Sequence, residues 1–160
     1  MTHLSKMQKH LSALIWTLFL LAGLSLTAHA AEQQPLILES SKSFTDTVSG
    51  IKAAIKKKGL AIIFEANHKN MVEMVGGTET PSLTIGFAKP QMGQKVLSIE
   101  PLAGIEMPMR VAIRELKDGK VYVIYYQPSR MFAHYQNPKL DKLGKKMDKM
   151  VGSLAKAGTE

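Results

Sequence analysis

Residues 109–126, MRVAIRELKDGKVYVIYY, decide the fold. Two apolar-alternating runs flank Asp118-Gly119, a dipeptide suited to a two-residue type I′ turn, so the stretch reads as a β-hairpin. Side chains two residues apart point the same way along a strand. Val111 and Ile113 therefore share one face, as do Val121, Val123 and Tyr125. That set faces the core. Tyr122, Ile124 and Tyr126 fall on the opposite face and are too apolar for open solvent. This second face calls for a cover, either a second subunit, which makes a homodimer, or a ligand.

Upstream of the hairpin, PSLTIGFA (81–88) and LAIIFEA (60–66) read as buried strands and LILES (36–40) as a first short one. Between the first two strands Ser43 is set to cap a helix, with Asp46 in its first turn. Phe44, Val48, Ile51 and Ile55 recur at helical spacing, and the run KKKG (56–59) ends the helix on cations and a glycine. Pro90 begins another helix, since its fixed φ fits a first helical position and forces Lys89 to be extended. Downstream, SRMFAHY (129–135) predicts a short helix after Pro128, and Asn137-Pro138 starts a final one. Leu140, Leu143, Met147, Met150, Val151 and Leu154 form its apolar stripe, with Lys142, Lys145, Lys146 and Lys149 largely opposite. The order strand, helix, strand, short helix, strand, helix, hairpin, helix, helix predicts one α+β sandwich: a mixed or antiparallel sheet of about five strands covered by helices.

The N-terminus predicts the compartment. Lys6 and Lys9 precede the apolar run LSALIWTLFLLAGLSL (11–26), and Ala28 and Ala30 supply small residues before a cut. Residues 1–30 read as a cleaved signal peptide and 31–160 as a single exported domain in the periplasm. The apolar run is shorter than the roughly 20 residues that span a bilayer, so no permanent membrane anchor is expected. Cleavage takes two of the 21 basic residues and none of the 13 acidic ones, leaving a basic chain. That balance suits small anionic ligands. Without an arginine-rich or aromatic-interleaved patch, nucleic acid is not an expected partner. Absence of cysteine excludes disulfides, thiolate catalysis and zinc–thiolate sites.

The run from Ile85 to Tyr135 resembles the second half of the domain of unknown function family numbered 302. Gly86 and Phe87, Pro90 and Gly93, then Glu106, Met107 and Pro108 before the hairpin, and Tyr126, Pro128 and His134 after it, stand where that family has its motif. SFTDTVSGIKAAIKKKGLAIIFEANH (43–68) is similar to its opening helix and strand, so the family-like region covers about residues 36–156. Two departures stand out. Lys89 occupies a place for a small polar residue, and AHYQNP (133–138) replaces a shorter arginine–histidine–glycine turn. The resemblance implies a small α+β domain, often dimeric, with no established reaction.

Two groups are candidate sites. NHKNMVEM (67–74) sets His68, Met71 and Met74 at intervals of three, and imidazole with thioether is a ligand set for Cu(I). Outer residues at i and i+6 lie roughly 120° apart on an ideal helix, so the favoured alternative makes the methionines packing residues. His134 is the stronger candidate: Arg130 lies one helical turn before it, and the two could hold an anion. The KPQMG turn adds Lys89 beside helix-start amides, an arrangement that suits anions. The expected small-ligand set, anionic or apolar, is Gly86, Lys89, Pro90, Gly93, Arg110, Tyr126, Arg130 and His134. With no GxSxG elbow, HExxH pair, phosphate loop or dinucleotide fingerprint, a binding or stress-associated domain is favoured over an enzyme. The enzyme alternative uses His134 as acid or base.

Overall fold

The computed structural model describes residues 34–160, so the expected signal peptide lies outside the described residues. Five strands, β1 (Leu36–Ser40), β2 (Ala61–Asn67), β3 (Ser82–Ala88), β4 (Met109–Glu115) and β5 (Val121–Tyr125), form one sheet in the order β1-β5-β4-β3-β2. Every pairing is antiparallel. Of the two sheet types expected, the antiparallel one is found, and the element order follows the reading above. No described helix is long and apolar enough to cross a membrane.

The hairpin turn differs from the expectation. A type I′ turn needs positive φ at both central residues, and here only Gly119 has it, at 82°. The Gly119 N–H donates to the Leu116 carbonyl and the Leu116 N–H to the Lys120 carbonyl, giving a longer turn with glycine in the left-handed position. Asp118 keeps a negative φ because its carboxylate accepts from the Lys120 N–H at 3.1 Å, a local bond that fixes the turn without left-handed backbone.

Helices α1 (Phe44–Lys57) and α5 (Pro138–Thr159) cover one face of the sheet. The Ser43 side chain accepts from the Asp46 N–H, and Gly59 at φ 65° follows the last turn of α1. Core-facing Val111, Ile113, Val121, Val123 and Tyr125 meet Ile51 and Ile55 of α1 and Leu140, Met147, Val151 and Leu154 of α5 in one buried cluster. At the far end the Ser41 N–H and hydroxyl both donate to the Thr159 carbonyl, holding the end of α5 to the β1–α1 turn.

Three shorter helices complete the chain: α2 (His68–Glu73), α3 (Pro90–Ile99) and α4 (Pro128–Phe132). The expected 129–135 helix is split, its last turn (Ala133–Tyr135) winding as a 3₁₀ helix. α4 packs closely on α5, where the Ser129 N–H donates to the Asp148 carboxylate at 2.9 Å and satisfies an amide at the start of α4. Gly144 makes that approach feasible: a Cβ there would lie 2.7 Å from Ser129 Cα and 3.1 Å from the Phe132 ring. Overpacking costs about 1–3 kcal/mol, against a helix-propensity gain of about 1 kcal/mol for Gly→Ala. The net loss is about 0–2 kcal/mol, so Gly144→Ala is expected to lower the melting temperature by up to about 8 °C. A rise in melting temperature would show that α4 can retreat without loss.

Candidate functional site

Because β3 and β5 run antiparallel to β4, one end of the sheet collects the end of β3, the start of β4 and the end of β5. Most of the expected ligand set arrives there. Gly86 pairs with Arg110, and the chain beyond β3 passes through Lys89 into Pro90 and Gly93 of α3. A 3₁₀ helix (Pro101–Glu106) and a cis Met107–Pro108 bond return it to β4. Tyr126 follows β5 directly, and Pro128 opens α4. Lys89, Arg110 and Tyr126 are all exposed.

His134 lies in the 3₁₀ turn after α4, with its side chain half exposed and Nε2 3.8 Å from Glu106 Oε1. Its ring is 4.0 Å, centre to centre, from that of Tyr135, whose hydroxyl donates to the Leu102 carbonyl. Burial, with the Glu106 and Glu100 carboxylates nearby, raises the Tyr135 phenol above its ordinary range. The imidazole expected to hold an anion with Arg130 thus has the Glu106 carboxylate for a neighbour. As an acid/base pair, 3.8 Å is an ion-pair distance, longer than the roughly 2.6–3.2 Å over which a proton is passed directly.

Gly86 has a steric role that spacing alone did not reveal. The Phe64 ring lies over it, so a Cβ at residue 86 would come within 2.2 Å of the ring. β2 reaches this position through a bulge at Ile62–Phe64. The signal, a glycine two residues from the end of a strand, marks close approach by another group.

His68, Met71 and Met74 lie away from this end, where β2 finishes opposite the start of β3. His68 Nε2 is 2.8 Å from Thr84 Oγ1, a hydrogen bond that occupies one ring nitrogen. Met71 and Met74 are 56% and 85% exposed, which overturns the packing alternative: α2 is too short and too peripheral to bury either thioether. Among the described residues no three His, Cys, Asp or Glu side chains form a metal-binding group.

The other sheet face is covered by neither α1 nor α5; α2 reaches it only at the β2–β3 side, through the His68–Thr84 hydrogen bond, and the β1–β5 side is left open among the described residues. Across its middle run Ile37, Ile124, Ala112, Thr84 and Ala66, one from each strand. Ile37 is 59% exposed, Tyr126 48% and Phe64 38%. Charges keep to its margins: Arg114 pairs with Glu79 at 2.9 Å and Lys120 with Glu39 at 3.4 Å, while Arg110 makes no ion pair among the described residues.

Fold and site together define a small α+β domain with an antiparallel five-stranded sheet, helices on one face and a motif cluster at one sheet end. The chain belongs to the family described as Domain of unknown function DUF302, whose sequence model matches residues 36–157. Its fold is similar to the crystal structure of an uncharacterized conserved DUF302 protein from Bacillus stearothermophilus, with a TM-score of 0.72 at 15% identity, over 77% of this chain and 96% of the other. No curated protein matches the chain.

Proposed function

We propose that the protein is an exported, periplasmic binding domain that works as a homodimer, with the uncovered sheet face as its working surface. Export rests on the signal pattern in residues 1–30. The observation that carries the binding reading is the apolar row led by Ile37, 59% exposed, with Ile124 beside it. A second copy is the occupant that fits, because it offers the same chemistry in return: an apolar middle against an apolar middle, with charges confined to the margins. Face-to-face packing of two sheets at about 10 Å is a standard arrangement. Arg110 and Tyr126, at the rim, remain within reach of a small ligand.

Geometry also sets the strength. Five strands about 4.8 Å apart and about 20 Å long present roughly 480 Å² of projected face. Two such faces approach only the low end of stable interfaces, about 1,200 Å² in total. An interface of that size belongs with weak, reversible encounters rather than permanent ones. Sedimentation velocity from about 1 to about 100 μM protein is expected to show a monomer-to-dimer shift. A single monomeric species across that range would remove the reading.

A further inference from the structure

We propose that the groove between α3 and the first half of α5 binds a phosphate-bearing anion. The groove is open to solvent, has a volume of about 380 Å³, and is lined by Lys95, Lys139, Lys142 and Lys146 with Ile99 and Leu143. That volume falls within the range of small-ligand sites, about 300–1,000 Å³. It lies apart from the uncovered sheet face and owes nothing to the dimer.

Three features single out this lysine cluster. First, it is gathered. Like most of the lysines, these four have no carboxylate partner among the described residues, but all four line one groove together. Asp148, on the same helix, is turned to Ser129. Second, the arrangement opposes local helix stability. Lys139, Lys142 and Lys146 follow one another at spacings of three and four, where like charges destabilise a helix. Lys139 and Lys142 also lie near the positive end of the α5 dipole, a position that favours acids. Sequences break such local rules mainly at functional sites.

Third, the two walls are tied. The Asn137 side chain accepts from the Lys139 and Leu140 N–H groups and donates to the Ile99 carbonyl at 3.4 Å, joining the end of α3 to the start of α5. The ammonium groups thus project from backbone of fixed spacing. Lysine binds phosphate as a point charge with three donors, and several such groups around one cleft select a multiply charged anion.

The phosphate could belong to a free small molecule or to a lipid headgroup, and the test separates them. The protein is titrated with inorganic pyrophosphate while backbone amide resonances are followed, and it is mixed in parallel with phosphatidylglycerol or phosphatidylcholine vesicles. Saturable shifts at Lys95, Ile99, Lys142 and Leu143 are expected for a free phosphate; binding confined to phosphatidylglycerol vesicles assigns the headgroup instead. In either arm Lys142→Gln/Lys146→Gln weakens binding about tenfold or more, while Lys145→Gln/Lys149→Gln, with equal charge removed outside the groove, changes it less than about twofold. All four positions are exposed, so circular dichroism should show both doubles folded. Equal losses in the two doubles, or binding in neither arm, would overturn the proposal.

Discussion

Phe87→Ala is expected to lower folding stability by about 3–5 kcal/mol, the usual result of emptying a fully buried phenylalanine site. Phe87 has no exposed surface and is among the largest side chains in the core. It pairs with Ile62 on one side and Met109 on the other, so the cavity would open where three strands meet. Met109 is held in the β3–β4 ladder, whose hydrogen bonds limit how far the backbone can collapse into the space, although Ile62 borders the β2 bulge. A domain of this size has about 5–15 kcal/mol in total, so the variant should remain folded at room temperature but with little reserve. Urea unfolding would show it as a midpoint lower by about 1.5–3 M with an unchanged slope. A loss under about 1 kcal/mol would mean that the end of β3 is held by something other than this side chain.

The effect also reaches the motif cluster, since Lys89 and Pro90 follow Phe87 by two and three residues. This part of the molecule was the most legible in the sequence. Alternation in β4 and β5 identified the buried set, and Pro90, Pro128 and Asn137-Pro138 marked the helix starts, because each signal acts over a few residues. The turn at Asp118-Gly119 was misread at that same range: whether residue 118 turns left-handed depends on its own carboxylate bonding to the Lys120 amide. Longer-range relations left no trace in the spacing. His134 and Glu106 are 28 residues apart and meet only because the 3₁₀ segments before β4 and after α4 reach the same sheet end. Phe64 over Gly86 depends on a bulge in β2, which shifts the facing of its side chains by one residue. Met71 and Met74 looked like packing residues because methionine usually is, yet a six-residue helix at the sheet edge has nothing to pack them against.

For the proposed sheet-face dimer, Ile124→Glu is expected to raise the dissociation constant by about a thousandfold while leaving the monomer folded. Ile124 sits between Ile37 and Ala112 in the middle of the uncovered face, so in a two-fold dimer through that face it is buried from both copies. An unpaired carboxylate in such a place costs a few kcal/mol, and the symmetry counts it twice. At about 2 kcal/mol per copy the total of about 4 kcal/mol corresponds to roughly a factor of 10³. The monomer is spared because the same side chain is only half-buried there and points away from the core cluster. Glutamate has lower strand propensity than isoleucine, a loss of up to about 1 kcal/mol that a folded domain tolerates. Sedimentation would therefore report a monomer at every concentration where the unaltered protein dimerises, with urea midpoints nearly alike. If Ile124→Glu dimerised as tightly as the unaltered chain, the sheet face could not be the interface. If it unfolded instead, Ile37→Lys, at the more exposed edge position of the same row, would put the same question with less demand on the fold.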